Sequence, residues 1–196
     1  MALIPYPEAL RRVEARLGRT DEVEVPIADC VGLVTTADIV SPDAVPPFDN
    51  TAVDGFAVRS ADLVEVPAIL EVAETIAAGS VPAVTLSEGT CARIMTGALI
   101  PPGADAVVMV EQTRSAEDDA VYIDTSAAPG AHIRPAGDDL AAGDLAIGRA
   151  TRLRPAHVGL LATLGITHVR VARRPRVGVL STGDELVGPD TPLSPG

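Results

Sequence analysis

Lysine and tryptophan are absent from this 196-residue sequence, aromatic residues make up 2% of it, and there are two cysteines. Each shortage excludes something. A nucleic-acid binder shows a basic footprint and stacking rings. Here the only basic charge is arginine, a formal net charge of −12 outweighs it, and the rings are limited to Tyr6, Phe48, Phe56 and Tyr122. Nucleic acid is therefore not an expected partner. Cys30 and Cys91 stand far apart with no CxxC spacing, so small buried side chains are expected rather than a disulfide or a zinc site. Long apolar runs are missing too. Apolar residues form 47% of the chain, yet Pro, Gly or charge interrupts every stretch before the ~18 residues that a spanning helix requires. No membrane association is expected. The N-terminus, Met1-Ala-Leu-Ile-Pro-Tyr-Pro-Glu8, lacks the basic region and apolar core of a secretory signal, and a cytoplasmic setting is the expectation.

What is present is unevenly placed. Residues 41–142 hold sixteen carboxylates against four arginines, which equals the whole net charge, while residues 1–40 sum to −3 and residues 143–196 to +3. The acidic stretch is also punctuated by Pro46-Pro47, Pro101-Pro102 and isolated glycines at 79, 89, 103, 130 and 137, a pattern of short strands joined by turns. Helical spacing appears outside it. From Pro7 to Leu17, Leu10, Val13 and Leu17 share one face, Arg11, Arg12 and Arg16 face away, and Gly18 supplies the stop. A second helix opens at Pro155, aligns Val158, Leu161 and Leu164, and ends at Gly165. Thr167–Ala172 then alternates with Val169 and Val171 inward, and Arg176–Leu180 reads as a buried strand of a parallel sheet. Only a turn-forming tail, Gly188–Gly196, follows, so the sequence reads as ending inside an α/β domain.

Four segments carry residues with chemical potential. In Ser41–Val58, Asp43, Asp49 and Asp54 surround a proline-stiffened loop that runs into an apolar strand. Spacing favours Asp49 and Asp54 as turn residues bonding their own backbone; the alternative is a carboxylate held at a loop edge to take Mg²⁺. In Cys91–Glu111, an apolar strand ends in Thr96-Gly97 before a Pro/Gly turn; a hydroxyl and amides beside glycine can cup an anion. In Ile133–Leu140, Arg134 lies near the adjacent Asp138 and Asp139, as in a solvated turn. In Val177–Leu186, Ser181, Thr182 and Gly183 follow a strand, with Glu185 beyond. Thr182 with Glu185 fits a helix capping box, and the same position outside a strand's carboxyl end is where open α/β sheets bind ligands. The three histidines, His132, His157 and His168, show no metal spacing.

In this order and spacing the segments resemble the MoeA family of molybdopterin molybdenumtransferases, which includes the E domain of gephyrin. The most specific parts are Asp49-Asn-Thr-Ala-Val-Asp-Gly-Phe-Ala-Val58, Arg93-Ile-Met-Thr-Gly-Ala98 with Pro102–Val108, Arg134 with Gly137-Asp-Asp139, and Ser181-Thr-Gly-Asp-Glu-Leu186. Val53 and Phe56 stand where the family more often has Met and Tyr, and Pro135-Ala136 occupies a segment that can be basic in relatives. The resemblance implies an α/β and β multidomain fold. Residues 1–21 would form an N-terminal helix packing on domain III, 22–40 with 143–174 a small mixed domain I, and 41–142 an inserted β-rich domain II. Residues 175–196 would be the first strand and loop of a truncated α/β domain III of molybdopterin-binding type.

The implied activity is insertion of molybdate into adenylylated molybdopterin, with Mg²⁺-dependent cleavage of the adenylate. By motif, the resemblance implies Asp54, Asp139 and Glu185 as catalytic acids, Asp54 and Glu185 as metal ligands, and Thr96, Gly97, Arg134, Ser181, Thr182 and Gly183 as substrate contacts. It also implies a homodimer with molybdopterin adenylyltransferase upstream. The family's cleft is shared between domain II of one subunit and domains III and IV of the other. The glycine-rich pterin loop and domain IV are not among these residues, so this chain alone is expected to be inactive. A non-catalytic truncated paralogue, serving as a dimerisation or docking scaffold, is the competing reading.

Overall fold

The computed structural model describes residues 4–117 and 119–192. Helix α1 spans Tyr6–Glu14 and α2 Pro155–Thr163. The strands are β1 Glu22–Pro26, β2 Ile39–Val40, β3 Asn50–Thr51, β4 Gly55–Val58, β5 Ala68–Ile76, β6 Thr90–Ile94 and β7 Ala106–Met109, followed by β8 Thr113–Ser115, β9 Ala120–Ile123, β10 Ile133–Arg134, β11 Leu145–Ile147 and β12 His168–Ala172. The fold is mixed α/β with few helices. As the turn-rich composition predicts, no α-helix forms among the described residues of 41–142.

Six strands make the main sheet, in the order β7-β4-β6-β5-β9-β8, with β5 and β6 parallel and the other neighbours antiparallel. Alternate residues of a strand face opposite sides, and both sides of this sheet are filled. Phe56, Val58, Cys91, Ala106 and Val108 enter one core with Leu63, Leu70, Val121 and Ile123. Ala57, Ala92, Ile94 and Val107 enter another with Ile76, Leu86 and Ala98. Strand β5 serves both because a bulge between Val72 and Glu74 reverses its alternation. Leu70 lies in the first core and Ile76 in the second. All four residues of β4 are buried, which makes the strand that follows Asp54 a rigid anchor.

A third core joins residues 23–39 to residues 146–171. Cys30, Leu33, Ile147, Leu153, Leu161, Val169 and Val171 pack together, under the antiparallel pair β1–β12 that matches Val25 with Val169 and Val23 with Val171. Helix α2 has the expected proline in its first turn, and the Arg154 amide donates to His157 Nδ1 at 3.1 Å. Gly165, at φ +68°, closes it in the left-handed conformation glycine adopts freely. Both cysteines are buried, as expected.

Two expectations need correction. Helix α1 stops at Glu14, with a turn at Ala15–Arg16 before Gly18, and its apolar stripe is uncovered: Leu10, Val13 and Leu17 are 42%, 57% and 72% exposed. Arg176–Leu180 forms no strand. Val177, Val179 and Leu180 are 79%, 87% and 92% exposed, because a strand needs a neighbour for its backbone groups and none pairs with it among the described residues. The described part of the Gly188–Gly196 tail turns as expected, with the Thr191 amide donating to the Gly188 carbonyl, while 193–196 lie outside the described residues.

Candidate functional site

The site is organised by β3, one of the shortest strands. Asn50 and Thr51 pair with Arg134 and Ile133 of β10, and Asn50 bridges Leu99 on the opposite edge. The Thr51 amide donates to the Ala98 carbonyl at 3.1 Å and the Gly97 amide to the Thr51 carbonyl at 2.8 Å. Three segments distant in sequence, 49–54, 96–100 and 132–139, therefore lie side by side. Thr51 is buried, and its Oγ1 accepts the Val53 amide at 3.1 Å and donates to the Val53 carbonyl at 2.7 Å. This hydroxyl-stabilised turn ends β3 and presents Asp54. The Asp54-Gly55 pair is not itself a turn: Gly55 starts β4.

Asp54 Oδ1 accepts two hydrogen bonds from Thr96, the amide at 2.7 Å and the hydroxyl at 2.6 Å. Gly97, at φ +79°, supplies the left-handed corner that lets both groups of Thr96 face one oxygen. Among the described residues Oδ2 accepts no hydrogen bond, and the carboxylate is exposed. Its pKa is held below the usual carboxylate range by the Thr96 hydroxyl, then by the Thr96 amide, with the positive charge of Arg93 assisting. Arg93 stands opposite Phe56 in the β4–β6 pair. Sequence reasoning did not single Arg93 out, because only the register of two strands brings it near Asp54.

On the other side of β3, Arg134 Nη2 donates to Asp139 at 2.7 Å, and Nε lies 3.5 Å from Asp138. The guanidinium is held firmly protonated by Asp139 first and Asp138 second. Asp139, expected as a catalytic acid, is here the partner of Arg134. Asp49 joins the same region, its Oδ1 accepting the Ala136 amide at 2.8 Å.

The structure thus brings Asp54, Thr96 and Gly97 into direct contact and places Arg134 with Asp139 across β3 from them. Ser181, Thr182, Gly183 and Glu185 are exposed, and no hydrogen bond or ion pair among the described residues joins them to Asp54, Thr96 or Arg134. Asp54 and Glu185 are not brought together. Thr182 starts no helix, so it makes no capping box; Asp184 and Glu185 lie in a turn. Among the described residues no three His, Cys, Asp or Glu side chains gather as a metal site, and no helix is long and apolar enough to cross a membrane.

A β-rich sheet feeding a paired-loop site of this kind matches a known class. The chain belongs to the MoeA N-terminal region family (domain I and II), matching it over residues 4–165. It is similar to molybdopterin molybdenumtransferase 2 of Mycobacterium tuberculosis, 44% identical over 191 residues that cover 95% of this chain and 47% of that protein. The molybdopterin molybdenumtransferase of Bacillus subtilis is 39% identical over 201 residues, covering 98% of this chain and 46% of that one. The crystal structure of the molybdopterin biosynthesis moeA protein from Pyrococcus horikoshii OT3 superposes with a TM-score of 0.87 at 37% identity, covering 97% of this chain and 52% of that chain. The chain spans about half the length of the curated relatives it matches.

Proposed function

We propose that this chain contributes one face of a molybdopterin molybdenumtransferase site, acting in molybdenum cofactor biosynthesis on molybdate and adenylylated molybdopterin. The observation that carries the reading is the double hydrogen bond from Thr96 to a single oxygen of Asp54. It favours the ionised carboxylate and orients it, leaving Oδ2 without a hydrogen bond among the described residues and open to a ligand. Molybdate and a phosphate anhydride are both anions, so a bare carboxylate repels them; Arg134 across β3, paired here with Asp138 and Asp139, would attract them on exchanging these carboxylates for the substrate. The donor set fits Mg²⁺ in the mode where one carboxylate combines with water and substrate phosphate oxygens, and Asp54 Oδ2 is the atom that would hold it. An ion held by Asp54 would supply positive charge toward the anionic substrates and would polarise the anhydride.

The separate third core supports assigning residues 22–40 and 143–174 to domain I and 41–142 to domain II. In this reading residues 175–196 open domain III, and the bare stripe of α1 is covered by it. Ser181, Thr182, Gly183 and Glu185 would complete the site only once that region is built against further chain, so these 196 residues alone are expected to give no turnover. A cytoplasmic homodimer, supplied by molybdopterin adenylyltransferase, belongs to the same proposal.

The test is a chimera in which this chain replaces the matching half of the Bacillus subtilis relative. Molybdenum insertion is expected, and Asp54→Asn should lower kcat at least about a hundredfold, the scale of a lost catalytic group. Undiminished insertion by the Asp54→Asn chimera would overturn the assignment.

A further inference from the structure

Asp49 sits where the three site segments meet. Its backbone carbonyl accepts the Ile100 amide at 3.1 Å, just beyond Thr96 and Gly97. Its Oδ1 accepts the Ala136 amide at 2.8 Å, across 87 positions of sequence and two residues beyond Arg134. We propose that Asp49 is the positioning residue of this site: by clamping the Ala136 amide it sets where the Arg134 guanidinium stands relative to Asp54. The proposal rests on the reading of Asp54 and Arg134 as the two charged groups of the site.

Strand geometry explains the need for a clamp. Arg134 is the last residue of β10, a two-residue strand, and such an end frays unless the next residues are tied. Among the described residues, Pro135–Asp139 is otherwise held by two backbone bonds, from the Gly137 amide to the Pro46 carbonyl and from the Asp139 amide to the Val45 carbonyl, and by the ion pairs of Asp138 and Asp139 with Arg134 itself, which carry any shift of the segment to the guanidinium. Asp49 makes the first tie after Arg134. Its carboxylate gives a charge-assisted bond, about twice as strong as a neutral one. It also shares a backbone with Asn50, the cross-strand partner of Arg134. A shift of this side chain therefore moves Arg134 and leaves Thr96 and Asp54, which are held by their own bonds, in place.

Amide exchange by NMR on the 196-residue chain tests this, comparing wild type with Asp49→Ala and Asp49→Asn. In Asp49→Ala the Ala136 amide is expected to exchange at least about tenfold faster, the loss of one hydrogen bond to a charged group, and the Arg134 Nε–Hε resonance to move toward that of a free arginine. The Thr96 amide should keep its wild-type rate. Asp49→Asn retains an acceptor oxygen and should restore both signals. A second variant reaches the clamp from the other side. Asp138 donates its amide to the Pro135 carbonyl and Gly137 has φ +78°, a type II turn that accepts proline at its second position; Ala136→Pro removes the clamped amide and should displace the Arg134 resonance as Asp49→Ala does. Unchanged Ala136 exchange and Arg134 resonance in Asp49→Ala, or equal acceleration of every amide including Thr96, would overturn the proposal. Titrating molybdate into the same samples separates it from the reading beneath it. Weaker displacement of the Arg134 signal in Asp49→Ala supports the clamp, whereas molybdate that moves no Arg134 signal in wild type sinks the anion role and leaves the clamp decided by exchange.

Discussion

Thr96 and Asp54, 42 residues apart in sequence, are joined by two hydrogen bonds to one carboxylate oxygen. A single residue satisfying one oxygen twice leaves the other for a ligand, and this asymmetry is the chemical feature of the site.

The same contact makes Asp54 a titration probe. Its folded pKa lies below the ordinary value of about 4, so ionised Asp54 adds to stability above that value, and the contribution is lost as pH falls through the lower folded value. Thr96→Val removes the hydroxyl, the larger cause, and keeps the amide. Carboxyl ¹³C titration should show the Asp54 midpoint rising toward the ordinary value, with less stability lost on acidification. An unmoved midpoint would contradict the assigned cause.

Gly55 is required by space, not by backbone conformation. A Cβ there would run into the Val108 carbonyl and sit 3.1 Å from the Met109 Cα, where β4 and β7 pair Gly55 with Met109. Gly55→Ala is expected to cost about 3 kcal/mol, as overpacking against backbone does. Urea unfolding measures it, and a loss under about 1 kcal/mol would show that the strands can separate cheaply.

Burial pushes the Cys91 thiol up to about 12 and raises that of Cys30. Near pH 8 neither is a thiolate. A chromogenic thiol reagent should label neither in native buffer and both after denaturation. Rapid native labelling would mean that the cores open locally.

Arg134 is paired on the surface, where ion pairs add little to stability. Arg134→Ala is therefore expected to leave the melting temperature unchanged while removing the response of the chain to molybdate. A melting temperature lower by more than about 5 °C would instead mark Arg134 as structural.

Local signals were legible where chemistry and structure share a few adjacent residues. Pro155 and Gly165 bracket α2, Val169 and Val171 mark the buried face of β12, and the Pro/Gly punctuation of 41–142 announces short strands. Asp54, Thr96, Gly97, Arg134 and Asp139 could each be named from motifs. Their relationships could not. The Thr96–Asp54 pair, the capture of Asp139 by Arg134 and the clamp from Asp49 to Ala136 all depend on β3 lying between two loops. Residues 176–180 misled for a related reason: an apolar run reads as a strand, but a strand exists only with a neighbour.

By itself the sequence determined the chemical types available, the turn-rich acidic middle and the membership of a family, because these depend on side-chain identity and short-range backbone preference. Only the tertiary structure decided which carboxylate is ionised and open, which is spent on an arginine, and which stands apart, as Glu185 does. Those properties arise from distances between residues far apart in the chain, and the place of β4 within the main sheet and of β3 between its two loops sets those distances.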